Sequence, residues 1–330
     1  MEKHACPFTN KPYTNLVSSY GEEFKRSRSP AHYESPLVTR MARRVDRVFD
    51  SLDARHYLGD EERTEFRHYH RLFSDNFAGI DRKIKERRLK PIDLAGFPQI
   101  LRYPGLTARV GVFIGSFDPF QMTHLAAALR FLSSEEGAAD LVFIVPEGSQ
   151  NPVKLKKTEY SFRFELLRLQ LEGVFSPFIV PLDIGKDADT IGIVERLIDL
   201  HAGATLSLTH VLGSDSLPTA IRLLPEDLEA WRVRAAARGV QLDHGIFAII
   251  RERGAFLDRA AEEIRNLGVR FATDSSPLGT PSSTDFREER RITIAFPTEA
   301  VLSRLELLFR YGMNRPWMRL EGDQEPEYQI

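Results

Sequence analysis

The 330-residue chain holds a single cysteine, Cys6, so an intramolecular disulfide and a cysteine metal cluster are both excluded. It holds no uninterrupted apolar run of 18 residues, which excludes a transmembrane helix. Its beginning, MEKHACPFTNKPY, lacks the apolar core of a secretory signal, and a cytoplasmic location is expected. The formal net charge is only −2, so bulk charge gives no reason to expect nucleic acid or a membrane as partner. Internal repeats and long low-complexity tracts are missing too. What is present is an ordinary globular composition, 42% apolar and 28% charged, enough to bury a sizeable core.

Charge is unevenly spread. Residues 1–105 carry 20 Lys and Arg against 15 Asp and Glu, leaving 25 against 32 for the remainder. The first 35 residues, rich in Ser, Pro, Tyr and Asn, read as loop or a loosely held arm. Apolar residues at Leu37, Val38, Met41, Val45, Val48, Phe49 and Leu52 form a helical stripe. Phe66–Phe77 and Ile80–Leu89 read as two further charged helices. His56, His68 and His70 lie in this charged region and read as a solvated face. Pro91, Pro98 and Pro104 punctuate the approach to the next region. The expected division is therefore a mainly helical N-terminal extension, 1–105, and a second domain, 106–330.

From Arg109 the pattern becomes strand and helix in alternation. The strands are RVGVFIGSF, DLVFIVP, PFIVPLDI, LSLTHVLG, GIFAIIR and VRFAT. Between them lie LAAALRFLSS, FRFELLRLQLEG, IGIVERLIDLHAG, PEDLEAWRVRAAARG and LDRAAEEIRNLG. Apolar strands alternating with amphipathic helices predict an α/β fold: a parallel, doubly wound, Rossmann-like sheet with helices on both faces. Ligands of such sheets bind beyond the carboxyl ends of the strands, at the switch point.

Two segments suit phosphate. After the first strand comes Gly115-Ser116-Phe117-Asp118-Pro119, then Gln121 and His124. Gly115 lets backbone pass close to a phosphate. Asp118 and Pro119 turn the chain, and His124 falls at the start of the next helix, where N–H groups and the helix dipole favour an anion. Downstream, Ser282-Ser283-Thr284 and Arg287 suit a second helix N-terminus facing phosphate oxygens; the same serines serve equally as an ordinary cap.

GSFDPFQMTHL resembles the phosphate-binding loop of the nicotinamide/nicotinate mononucleotide adenylyltransferase family, within the nucleotidylyltransferase superfamily. SSTDFR resembles that family's ISSTxIR motif, VLGSDSL its GxDS segment, IIRERG its strand and basic turn, and 297–312 its closing helix. The order matches over Arg109 to Gly312. Gln121 stands where many members carry the first His of HxGH, and residues 1–105 have no counterpart in the family's minimal enzymes.

The resemblance implies transfer of a nucleoside monophosphate from ATP or CTP to a small phosphate-bearing acceptor, with release of pyrophosphate. The expected catalytic groups are His124, Lys154 and Arg287. Nucleotide would be bound by Gly115, Ser116, Phe117, Asp118, Gln121, Gly213, Asp215, Arg251, Ser282, Ser283 and Thr284. Lys154, Arg163 and Trp231 would face the acceptor. Mg²⁺ would ride on substrate phosphates, with no dedicated protein site. Plainer readings stand beside these. Asp215 also suits a helix cap, Lys154 a solvated turn, and Arg163 a surface pair with Glu159 or Glu165. Arg251 suits a charged strand end, and Trp231 a helix core. A CTP-dependent cytidylyltransferase acting on a phosphonate, and a nucleotide-binding regulator without catalysis, are the alternatives. A homo-oligomer is compatible with all three.

Overall fold

The computed structural model describes residues 33–54, 60–92, 107–148, 159–250, 256–275 and 296. Two helices come first, α1 (Pro36–Ala54) and α2 (Asp60–Lys85). The alternation begins with β1 (Thr107–Gly115), α3 (Met122–Ser133), β2 (Leu141–Pro146), α4 (Tyr160–Leu171) and β3 (Ile179–Pro181). Then come α5 (Thr190–Leu200), β4 (Thr205–Gly213), α6 (Leu217–Ala237), β5 (Gln241–Ile249), α7 (Phe256–Asn266) and β6 (Arg270–Asp274).

The six strands form one sheet in the order β3-β2-β1-β4-β5-β6, every neighbour parallel. Chain order reverses between β1 and β4, so the crevice lies above that pair, as doubly wound topology requires. The fold class expected from the sequence is the one observed. β2 is buried at every position because helices cover both faces.

One apolar cluster lies under α5, α6 and α7 and takes in Val110, Val112, Leu206, Leu208 and Ile246. The other lies under α3 and α4 and continues outward into α1 and α2 through Val38, Met41, Val45, Phe49, Phe73, Phe77 and Ile80. The N-terminal helices thus form a third layer that shares the core of the sheet. Helix α3, sandwiched between sheet and α2, is buried almost all round, as its run of Leu, Ala and Phe demands. Gly111 on β1 admits it: a Cβ there would lie 2.4 Å from the Phe131 ring.

Strand β3 is shorter and β5 begins earlier than expected, and two helices differ more substantially. The helices read at Phe66–Phe77 and Ile80–Leu89 are one continuous helix, α2, which starts at Asp60 and ends at Lys85. Gly79, within this helix, is a contact point, since a Cβ there would sit 2.8 Å from Ser133 Cβ on α3. Helix α6 begins at Leu217 and runs through Pro225 rather than starting there. Pro218 occupies its first turn, where a missing N–H costs nothing. No described helix is long and apolar enough to cross a membrane.

Candidate active site at the carboxyl edge of the sheet

β1 and β4 are paired up to Val112↔His210, and their last residues, Gly115 and Gly213, each lie three positions further on at the carboxyl edge of the switch point. The loop leaving Gly115 is held from several directions. Gly115 accepts at its carbonyl from the N–H of Glu147, just after β2 (3.0 Å). Phe117 has a φ of 43°, in the left-handed region that a bulky residue rarely adopts. Its ring folds back so that a Cβ on Gly115 would lie 3.1 Å away. Rings of Phe113 and Phe120 pack edge-on against it at 5.4 and 5.3 Å, which supplies the contacts that hold this conformation. The bond Asp118–Pro119 is cis.

His124 lies in the first turn of α3, half-buried, with Phe113, Phe117 and Phe120 rings 5.1 to 5.6 Å from its own. Its Nδ1 accepts from the backbone N–H of Gln121 at 3.2 Å. An accepting Nδ1 puts the proton of a neutral ring on Nε2. The result is an oriented N–H donor at a helix N-terminus, beside the backbone donors of the first turn and the positive end of the helix dipole. Gln121, the N-cap residue, is 3% exposed.

Helix α4 carries the underside of the loop. Arg163, 1% exposed, donates through Nη1 to the carbonyls of Ser116 (2.6 Å) and Glu147 (3.1 Å). Gln170 Nε2 donates to Phe120 O at 2.9 Å. Arg163 therefore faces the loop backbone; neither the surface pair nor open contact with an acceptor matches this placement. Gln170 escaped the sequence reading, although a buried amide seven residues from a buried guanidinium marks one polar line on an apolar helix.

At the other lip, Ser214 N–H donates to Ile249 O and Ser216 N–H to Gly213 O, forming the turn into α6. Asp215 is exposed, and a Cβ on Gly213 would meet its Oδ1 at 2.3 Å, so the carboxylate folds back over the strand end. Loops after β2 and β3 are bonded together: Gly148 N–H donates to Gly185 O, and Tyr160 donates to Asp183 Oδ1 while accepting from Gly185 N–H. Burial, reinforced by Asp183, pushes the Tyr160 hydroxyl well above its ordinary range.

Trp231 lies elsewhere. It is 1% exposed, donates Nε1–H to Ile191 O, and packs against His210 and His244 under α6. That is the core reading, away from the loop. His70 pairs with Asp46 at 2.9 Å. Lys154, Arg251, Ser282, Ser283, Thr284 and Arg287 lie outside the described residues, as does 297–312. Among the described residues no group of three or more His, Cys, Asp or Glu gathers at one point.

No family model matches the chain. A protein of Aliarcobacter butzleri named "Probable nicotinate-nucleotide adenylyltransferase" is 26% identical over 182 residues, 54% of this chain and 90% of its own length. A protein of the same name from Maridesulfovibrio salexigens is 29% identical over 114 residues; the chain spans about half of it, 51%. Among solved structures, Plasmodium falciparum nicotinic acid mononucleotide adenylyltransferase complexed with APC matches at a TM-score of 0.41 and 13% identity. The match covers 62% of this chain and 97% of that one, a likeness too loose to carry weight. Motif order, sheet order and the two sequence relatives agree in making this chain similar to the nicotinate and nicotinamide mononucleotide adenylyltransferases of the nucleotidylyltransferase superfamily.

Proposed function

We propose that the protein is a nucleotidylyltransferase, transferring AMP from ATP to nicotinate mononucleotide or a closely similar phosphate-bearing acceptor and releasing pyrophosphate. The observation that carries this reading is His124: an imidazole whose Nδ1 accepts from Gln121 N–H, leaving its proton on Nε2, at a helix N-terminus above the switch point.

An oxygen of the acceptor phosphate attacks the α-phosphorus. One new P–O bond forms, the α–β bridging oxygen leaves with pyrophosphate, and no general base is required because the attacking oxygen is already anionic. The protein's work is alignment and charge stabilisation. His124 Nε2–H donates to an α-phosphate oxygen and strengthens as charge builds. Arg163 and Gln170 hold the loop that presents it. Asp215 faces ribose hydroxyls from the β4 lip. Lys154, Arg287, Ser282, Ser283, Thr284 and Arg251 are assigned to the phosphates and base on their motifs. Mg²⁺, when bound, would be held by the triphosphate's own oxygens and would offset part of its charge.

The test is pyrophosphate release with ATP or CTP against nicotinate mononucleotide, NMN, simple phosphates and phosphonates. Release with ATP and a pyridine mononucleotide is expected. Release only with CTP and a phosphonate would replace this reading by the cytidylyltransferase one, and nucleotide binding without release by a regulatory one. His124→Ala should lower kcat by about two orders of magnitude; near-wild-type turnover would remove His124 from the mechanism.

A further inference from the structure

The helix that carries His124 is gripped at its far end by a buried cation. Lys83 of α2 is 2% exposed, and its ammonium donates to the carbonyls of Leu132 (2.8 Å), Ser134 (2.9 Å) and Gly137. Those three acceptors use all three ammonium hydrogens. Each is a carbonyl at or just past the C-terminus of α3, where the helix leaves such groups unmet and its dipole favours a cation.

The turn beyond α3 is shaped to offer them. A Cβ on Gly137 would lie 1.7 Å from Phe131 O, so only glycine fits, and its N–H bonds back to Ser134. Ser133 Oγ donates to Asn76 Oδ1 on α2 at 2.6 Å. The two helices approach closely at Gly79. Three independent contacts of α2 therefore converge on one turn of α3. A 12-residue helix is a rod about 18 Å long, and His124 sits at its other end.

We propose that Lys83 is a positioning residue for nucleotidyl transfer: by fixing the C-terminal turn of α3 it sets how far the helix reaches toward the carboxyl edge, and hence where His124 Nε2–H stands over the α-phosphate. The proposal rests on the phosphate-donor reading of His124. It also gives the N-terminal helical layer a task in catalysis that a mere cover for the sheet would not have.

Burial, with Arg88 and Arg109 adding and Glu135 and Asp140 opposing, lowers the Lys83 ammonium to about 8. These are the charged groups that face it from its own helix end, from β1, and from the segment between α3 and β2. Wild-type kcat is thus expected to carry an alkaline limb near pH 8, absent when residue 83 cannot titrate.

The test uses the full chain. Lys83→Met keeps the length of the side chain and removes the donors. Steady-state kinetics are read beside the His124 ring resonance in the free protein, assigned with His124→Gln. The expected result is a folded variant whose kcat falls about tenfold or more, with KM for ATP unchanged within about threefold, the alkaline limb gone, and the His124 resonance shifted. Arg82→Ala, which breaks an exposed pair with Glu135, should leave all of these unchanged. Unchanged kcat in folded Lys83→Met overturns the proposal, and so does a lower kcat with the His124 resonance unmoved. Should Lys83→Met not fold, Ser133→Ala, which loosens the same turn by one bond, decides by the same readouts with a smaller loss. If the wild type releases no pyrophosphate with any pair, the assigned reaction has failed, and the resonance alone then decides whether the far end of α3 governs His124.

Discussion

Arg163 and Gln170 stand seven residues apart and so share a face of α4, the face turned to the loop that leaves β1. A buried guanidinium is tolerated here because carbonyl oxygens meet it. Arg163→Met leaves the Ser116 and Glu147 carbonyls without that donor, and a hydrogen bond from a charged group contributes on the order of 1.5–3 kcal/mol. The expected outcome is a drop of about 2–4 kcal/mol in unfolding free energy by denaturant titration, with kcat reduced because the loop loses its support. A purely acceptor-binding Arg163 would instead raise KM for the acceptor and leave stability alone. The sequence could show that Arg163 opens a helix, but not that the helix turns it inward. Gly115 is a parallel case: a Cβ there would crowd the Phe117 ring at 3.1 Å, a contact invisible without the φ of residue 117. His124 was legible because its place depends only on local order, a strand end, a turn and a helix start.

Among the elements, β1 and β2 were legible as near-continuous apolar runs, since a strand buried on both faces needs no alternation, and β4 from Leu206, Leu208, Val211 and Leu212 between polar residues. The length of α2 was not, because what makes Gly79 acceptable is a neighbour 54 residues away in sequence. The seam between β4, β5 and α6 adds a pH dependence. His210 and His244 face each other at 5.0 Å between ring centroids, with Trp231 over both. His210 Nε2 and both His244 nitrogens find no hydrogen-bond partner among the described residues. Burial lowers His210 to about 4 and, with His210, Arg270 and Arg232 adding, carries His244 well down too. A depressed histidine contributes stability that is present above about pH 6.5 and lost as pH falls toward 4. For His210 this comes to about 3 kcal/mol. Asp227, raised by burial and then by Asp189 and Glu226 to about 6, works in the opposite direction over pH 4–6. The clean measurement is therefore a difference. His210→Phe should be progressively less sensitive than wild type between pH 6.5 and 4 in denaturant unfolding, and identical pH slopes would show that the pair is not titrating on unfolding.

At the scale of the whole molecule, the N-terminal helices are a layer of the core rather than an attachment, which composition at residues 1–105 did not reveal because charge and apolar content are averaged over a helix surface. Their removal would bare the α2-facing side of α3, a helix buried at ten of its twelve positions. A chain lacking residues 1–92 is expected to be insoluble, or soluble only with marked binding of a hydrophobic dye; a monomeric, active truncation would contradict the shared core. The sheet order has a further consequence, for synthesis. β1 finds β2 within 35 residues, but its other neighbour, β4, is nearly a hundred residues downstream. Half of a sheet, β3-β2-β1, emerges from the ribosome and waits with one lip of its crevice missing. The proposed nucleotide site is thus completed late, its β4 lip only after about two-thirds of the chain has been made and the Ser282–Arg287 motif later still, and a nascent chain arrested before β4 should hold its N-terminal helices against α3 while binding no nucleotide.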